Sequence, residues 1–380
     1  MSIEQLETDP HPLLRSLRSA GPVSWVESLG GWLVTGRALA EHVLRSSSLF
    51  TVDDPRFSTA QVVGPSMLSL DGRAHTRHRD PFARQFRPAQ AREALSEAVE
   101  HEVVRLVEAV RDVGHAEVRS AVAGPLAVFT MAELLGLGET DAAMVREWYD
   151  GIVAAVSDIT AGRAPDPRGA DAFAALRDHV AHSVGAGEHA TLVRTAAQEL
   201  SPDEVVSNAA VLLFGGIDTT EGMIANAVLH LLQHPDQLAQ VYDEPALLAR
   251  AIEESVRLEP AAAVVDRYAT DDVTVGGASV RRGDLVVVSL AGANRDPAVF
   301  HDPDVFDLHR GNADRHLSFA HGPHFCIGAH LARMETHAAL RAMLERLPGL
   351  RLDHRHEHAP RGLIFRKPPQ LRVLWDLPRV

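Results

Sequence analysis

Cys326 is the only cysteine in the chain, and it stands in the run Phe319-Ala320-His321-Gly322-Pro323-His324-Phe325-Cys326-Ile327-Gly328-Ala329-His330-Leu331-Ala332-Arg333-Met334-Glu335. Glycine and proline ahead of it force an irregular loop. Behind it the spacing of Leu331, Met334 and Leu344 predicts a helix that ends near Pro348-Gly349. A thiol at or just before a helix N-terminus meets free N–H groups and the positive end of the helix dipole, and both favour the thiolate. Gly322 and Gly328 leave room on both sides of the sulfur for something flat and large. The residues alone leave four chemistries open. A free cysteine can pack as a small hydrophobe. A nucleophile would need a base and an orienting group, and neither the papain-like nor the caspase-like local signature is present. Zinc is poorly served by one cysteine whose neighbouring histidines lack ligand spacing. A single axial thiolate on a haem iron needs only one cysteine.

Two other stretches draw attention. Gly215-Gly216-Ile217-Asp218-Thr219-Thr220 interrupts an otherwise apolar helical pattern. Each glycine costs about 1 kcal/mol against alanine there. The stretch is either a packing notch with a satisfied polar group or a point where the helix is loosened to admit a water or a small ligand. His354-Arg355-His356-Glu357-His358 looks metal-like, but it is not His-Glu-x-x-His and it precedes a loop. It reads as a solvated surface cluster.

The elements that must position these residues follow from periodicity and punctuation. Ser201-Pro202-Asp203-Glu204 combines an N-cap serine, a proline at the first helical position and a capping-box glutamate. The pattern it opens runs to Gln233, a rod of about 45–50 Å at 1.5 Å per residue. From Ala89 to Leu232 nearly every segment is helical in pattern, with breaks expected at Gly124-Pro125, Gly136 to Gly138 and Ala164 to Pro167. Nearer the N-terminus, Val23–Val26 and Gly31–Val34 read as a small hairpin and Ala38–Leu44 as a short helix. Beyond Pro260, Val273–Val275, Leu285–Leu290 and Leu371–Trp375 read as strands, with turns at Gly276-Gly277 and Arg282-Gly283. The fold expected is mainly α with small β-sheets. It is organised as one domain over 1–380, with β-rich portions near 20–36, 262–290 and 360–376 and a helical body over 89–260 and 326–347.

Composition narrows the function classes. The chain has 380 residues, 46% hydrophobic and 23% charged, which suits a globular enzyme and excludes a disordered or collagen-like chain. With 37 basic against 51 acidic residues the net charge is −14, so nucleic acid is not an expected partner. One cysteine permits no internal disulfide and suits a reducing compartment. Met1 to Pro10 has no signal-peptide pattern, and the longest apolar run, Ala209 to Ile217, stops at Asp218. A cytoplasmic protein without membrane insertion is expected.

The pattern Phe-x-x-Gly-x-x-x-Cys-x-Gly, completed by Leu331-Ala332 and Glu335, resembles the haem-binding loop of the cytochrome P-450 family. Glu254-Ser255-Val256-Arg257 is similar to that family's Glu-x-x-Arg, and Gly215-Gly216-Ile217-Asp218-Thr219 to its oxygen-activation motif. Ala293-Asn294-Arg295-Asp296-Pro297, with Phe300 and Phe306 to Arg310, resembles the segment leading to the cysteine loop in soluble bacterial members. His75-Thr76-Arg77-His78-Arg79 resembles their His-Thr-Arg-x-Arg. These motifs occur in the family's order from about Ser69 onward. The Gly72-Arg73 pair and the stretch Ser183 to Leu200, which is shorter than usual, depart from the pattern and bear on lid shape.

The resemblance implies a triangular helical prism around haem b (iron protoporphyrin IX), with Cys326 as the axial iron ligand. It implies that His75, Arg79, Arg267 and His324 bind the haem propionates, carboxylates that arginine forks suit. Glu254 and Arg257, at i, i+3 on one helix, would form with Arg310 a buried ion network bracing the cysteine loop. Asp218 and Thr219 would deliver the protons that dioxygen activation consumes, and their presence favours a monooxygenase fed by electrons. Val211, Phe214, Gly215, Val265, Ile364 and Phe365, with the loop Phe57 to Pro65, would line an apolar pocket for a hydrophobic small molecule, with O2 as co-substrate. No flavin or dinucleotide motif is present, so a separate ferredoxin and ferredoxin reductase are expected to supply electrons. They would dock on a basic patch of Arg84, Arg315, His316 and Arg333, while Arg73, Arg77 and Arg84 otherwise read as a solvated face. A haem-containing sensor or ligand-binding protein is the alternative; it would keep the cysteine loop and would not need Asp218-Thr219.

Overall fold

The computed structural model describes residues 2–137, 142–160, 163–186 and 191–377. The chain separates into two compact units. The first comprises Met1–Thr51, Val103–Gly124 and Thr219–Val380; the second comprises Val52–Glu102 and Pro125–Asp218. The architecture is mainly helical with small sheets, as expected.

The first unit holds every strand among the described residues. In chain order these are β1 (Val23–Val26), β2 (Gly31–Val34), β3 (Phe50–Thr51), β4 (His115–Glu117), β5 (Val264–Ala269), β6 (Val273–Val275), β7 (Ala278–Val280), β8 (Leu285–Ser289), β9 (Arg351–Leu352) and β10 (Arg372–Leu374). They form a five-stranded sheet ordered β1-β2-β8-β5-β3, a three-stranded sheet β4-β10-β9 and the hairpin β6-β7. In the large sheet only β2 and β8 run parallel, with Leu33 opposite Val287 and Val34 opposite Val288. Because successive strand side chains point to opposite faces, Val286 and Val288 enter one apolar cluster with Val34, Leu44 and Phe50. Val287 and Leu33 enter the other, with Leu14 and Ala291.

The regular elements of the second unit are all helices among its described residues. Ser58–Val63, Gly72–Ala83, Ala142–Thr160, Arg168–Ala186 and Leu192–Ala196 lie wholly within it. The long helix Pro202–Gln233 belongs to both units, which divide between Asp218 and Thr219. Its start is the capping box read from the sequence: the Ser201 N–H donates to Glu204 Oε2 at 2.9 Å, and the Glu204 N–H donates back to Ser201 Oγ at 3.4 Å. The stop is also as read, at His234-Pro235.

Several expectations are corrected. Two N-terminal helices, Ile3–Thr8 and His11–Ala20, precede the hairpin, the first opened by a Ser2/Gln5 capping box. Gly124-Pro125 begins a helix (Gly124–Leu135) that continues from the wide turn Arg119–Ala123, where a break was expected. The expected loop Phe57 to Pro65 contains the helix Ser58–Val63. Strand β4 shows no local signal because its partner, β10, lies some 250 residues later. His358 is buried, its ring nitrogens meeting the carbonyls of Asp353 at 3.0 Å and Gln370 at 3.3 Å, so it does not belong to a solvated cluster. Gly138 and positions 187–190 of the Ser183–Leu200 stretch lie outside the described residues.

Candidate functional site

The cysteine loop is built by backbone turns. Gly322 has φ +74°, a region L side chains rarely adopt, and a Cβ there would fall 2.8 Å from the Leu44 carbonyl oxygen. Ala320 sits at φ +58° without that freedom, held by its N–H on the Leu317 carbonyl at 2.8 Å. The Cys326 N–H donates to the Phe319 carbonyl at 2.8 Å, and the Cys326 carbonyl accepts from Ala329 N–H at 3.4 Å. The helix Ala329–Arg346 then starts on Gly328 as N-cap. The result is an exposed thiol beside an exposed ring, since Phe325 keeps 42% of its surface open. A soft nucleophilic sulfur and a flat apolar ring are thus presented together at a helix N-terminus.

Behind this loop lies a buried ion network. Glu254 sits on the helix Leu248–Leu258 and takes the Arg257 fork, Nε to Oε2 at 2.7 Å and Nη2 to Oε1 at 2.8 Å. Arg310 Nε adds a third bond to Oε1 at 2.8 Å, and the Asp307 N–H a fourth at 3.1 Å. Arg257, 0% exposed, places its remaining N–H groups on the carbonyls of Asn294, Pro303 and Val305. Arg310 does the same with His301, Asp302 and Val305. One carboxylate faces both guanidinium groups and main-chain carbonyls take the other N–H bonds, which is what lets Arg257 stay buried. The structure therefore brings Glu254, Arg257 and Arg310 together.

Other named residues of the first unit lie on and beside β5. Arg267 is buried and donates to the Asp266 carbonyl at 2.7 Å, and Val265 precedes it on the same strand face. The Ala263 N–H donates to the Ile364 carbonyl at 2.8 Å, and Ala262 bridges Phe365, so the Ile364-Phe365 turn is fastened to the start of β5. His324 ends the short 3-10 turn Gly322–His324, half-buried.

In the second unit, His75 and Arg79 are one turn apart on the helix Gly72–Ala83, His75 buried and Arg79 half-buried. On the long helix, Val211 is buried, Phe214 and Asp218 are half-buried and Gly215 is exposed. The two adjacent glycines differ. A Cβ on Gly216 would strike Met131 Sδ at 2.3 Å, so Gly216 is a packing notch. A Cβ on Gly215 would meet nothing within 4 Å. The helix runs unbroken through both, so the expected loosening is not present. Thr219, the next residue after Asp218, is half-buried.

Several of the basic residues are paired. Arg77 forks onto Glu204, holding that carboxyl down at about 2, and Arg84 pairs with Glu199 at 3.3 Å. Both side chains stay exposed, so they lie on a solvated face, as surface ion pairs. Arg333 and His316 both bind Glu253, Arg333 half-buried and His316 buried. Glu253 itself was not singled out by sequence: it lies 80 residues from Arg333, and only contact shows the pairing.

Among the described residues no cluster of three or more His, Cys, Asp and Glu side chains could hold a metal ion by itself, which sets aside a zinc site there. The residues present fit a haem. A single exposed thiol stands at a helix N-terminus, with an aromatic ring beside it and glycines around it. Arg267 and His324 in the first unit, and His75 and Arg79 in the second, are side chains of the types that bind carboxylates. No helix of the described residues is long and apolar enough to cross a membrane.

Comparison with known proteins agrees. A family model described as Cytochrome P450 matches residues 188–369. The cytochrome P450 monooxygenase PikC of Streptomyces venezuelae is 35% identical, over 99% of this chain and 92% of that protein. Nocardicin C N-oxygenase of Nocardia uniformis subsp. tsuyamanensis is 34% identical, over 97% and 96%. Among solved structures, P450BioI in complex with acyl carrier protein carrying hexadec-9Z-enoic acid superposes with a TM-score of 0.88 at 29% identity, covering 97% of this chain and 99% of that one.

Proposed function

The chain belongs to the cytochrome P450 family and is a monooxygenase, and from that premise we propose that Cys326 is the axial ligand of a b-type haem and that Asp218 and Thr219 serve its proton supply. The observation that carries this reading is the exposed Cys326 thiol, its backbone N–H pinned to Phe319, at the N-terminus of Ala329–Arg346. Haem, when bound to a thiolate, supplies the activation of O2 and the insertion of one oxygen atom into substrate. The chain's own residues do the rest. The N–H groups and dipole of a helix N-terminus favour the thiolate form that ligates iron. Arg267, His324, His75 and Arg79 hold the propionates by charge-assisted hydrogen bonds. Thr219 Oγ1 donates a proton to the reaction, and the half-buried Asp218 carboxylate takes one from solvent and passes it on.

Val211, Phe214 and Gly215 in the second unit and Val265, Ile364 and Phe365 in the first are the apolar residues assigned to substrate binding. The substrate is a hydrophobic small molecule of the natural-product kind, in keeping with relatives named for nocardicin C oxygenation and polyketide biosynthesis. Both compact units serve one catalytic domain in the cytoplasm. Electrons come from NAD(P)H through a ferredoxin and its reductase.

Three measurements on purified protein test this. Reduced and exposed to carbon monoxide, it gives the red-shifted difference band of thiolate-ligated haem, and Cys326→Ser loses it. Retention of the band in that variant overturns the ligand assignment. With surrogate redox partners and a substrate found by spectral titration, Thr219→Ala still consumes NAD(P)H but diverts it from product to peroxide and water. Asp218→Asn instead slows turnover, by ~10²–10⁴-fold for a proton-transfer group. Full rate and coupling in both variants would remove the pair from the mechanism, and absence of substrate-dependent NAD(P)H consumption in the wild type would favour a sensor.

A further inference from the structure

Glu253, next to the brace residue Glu254, faces the cysteine loop's own side chains. Arg333 forks onto it, Nε to Oε2 at 2.8 Å and Nη2 to Oε1 at 2.6 Å. His316 Nε2 lies 2.9 Å from the same Oε1. The Ser318 N–H occupies His316 Nδ1 at 3.1 Å, so the imidazole proton is on Nε2 and points at the carboxylate. Burial alone would raise the Glu253 carboxyl; the Arg333 fork and His316 outweigh it and hold the group at about 2. Both partners then close on one ring. The Arg333 guanidinium carbon sits 4.3 Å from the Phe319 ring centroid, and the His316 ring packs on Phe319 at 5.6 Å.

Phe319 is the residue whose carbonyl receives the Cys326 N–H. Arg333 is also tied to the other side of the cysteine, since its Nη1 donates to the Ala329 carbonyl at 3.2 Å and the Ala329 N–H donates to the Cys326 carbonyl. A guanidinium charge is therefore linked to Cys326 through two short routes, and its compensating carboxylate stands on a different helix. Ser318 completes the fixing of the loop, donating to the Val256 carbonyl at 2.7 Å and accepting from Asn294 Nδ2 at 2.8 Å.

We propose that Glu253 is a positioning residue that, by neutralising Arg333 and holding it with His316 against Phe319, sets the reduction potential of the group bound at Cys326. The proposal rests on the reading of Cys326 as haem ligand. Without the carboxylate, the Arg333 charge is uncompensated beside the sulfur, and the more negative reduced state is favoured. Without the guanidinium, the Glu253 charge is uncompensated and the oxidised state is favoured. The two deletions therefore act in opposite directions, which loss of packing cannot do.

The test is a spectroelectrochemical titration of the holoprotein and of Glu253→Gln and Arg333→Leu, each first checked for the thiolate carbon monoxide band. Glu253→Gln is expected to shift the reduced-to-oxidised equilibrium by about tenfold toward reduced, and tenfold is 59 mV for a one-electron couple. Arg333→Leu shifts it by a similar factor toward oxidised. Glu253→Asp and Arg333→Lys keep the charges and return most of the shift. Shifts of the same sign, or none in either variant, overturn the proposal. A variant that fails to fold leaves the other to decide, since each has its own required sign. A wild-type protein without the thiolate band overturns the ligand reading and this proposal with it, whereas band-positive variants with unchanged potentials overturn the proposal alone.

Discussion

The Glu254–Arg257–Arg310 network and the cysteine loop both belong to the first unit, yet they are built on opposite terms. In the network Glu254 and Arg257 are buried and every N–H of the Arg257 guanidinium has an acceptor, so removing the carboxylate strands an ion. In the loop a non-glycine residue is held at positive φ, and a thiol and a ring are left exposed. Completeness marks the brace, and incompleteness marks the chemistry. The long helix repeats the contrast on a smaller scale, with Gly216 closed by Met131 and Gly215 open.

The strongest way to break this contrast is Glu254→Gln, which strands Arg257 and Arg310. It should cost about 3–5 kcal/mol, seen as a large drop in melting temperature or loss of soluble protein. A variant as stable as the wild type would show that the network is not a brace. A second probe is pH. His230 packs beside the brace, its Nδ1 2.8 Å from Ser255 Oγ, and burial drives its pKa from the ordinary 6.5 down to about 3. The unfolded chain takes up this proton below pH 6.5 and the folded chain does not. The stability that the neutral imidazole contributes is thus complete above pH 6.5 and declines as pH falls toward 3, by up to ~1.4 kcal/mol per pH unit. Chemical denaturation of wild type and His230→Gln across pH 7.5 to 4.5 should show their difference in unfolding free energy shrinking as pH falls. A constant difference would mean that His230 takes up its proton in the fold as readily as in the unfolded chain.

Gly216→Ala drives a methyl into Met131 and should destabilise by ~1–3 kcal/mol. Gly215→Ala enters open space and should gain up to about 1 kcal/mol of helix stability. Thermal unfolding of the pair reads the sign directly, and equal effects would erase the distinction between the closed and open glycines. The smallest change concerns loop strain. Ala320→Gly removes a left-handed alanine that costs roughly 1–2 kcal/mol, offset in part by the greater freedom of glycine in the unfolded chain, for a net gain of about 1 kcal/mol. A fall in melting temperature would show that Ala320 is not strained.

What the sequence determined by itself was local. Helix starts and stops, the capping box at Ser201, the glycine-bounded cysteine loop and the i, i+3 pairing of Glu254 with Arg257 each depend on residues within a few positions of one another, where backbone geometry leaves little choice. The motif order from His75 to Cys326 was legible for the same reason, since each motif is short and contiguous. Tertiary structure decided what depends on distant partners. It brought Arg333 and His316 onto Glu253, buried His358, paired β4 with β10 and separated the roles of two adjacent glycines. A charge or a glycine carries no mark of its partner in its own neighbourhood. Whether it is matched, covered or left open is set by the side chain that the fold brings against it.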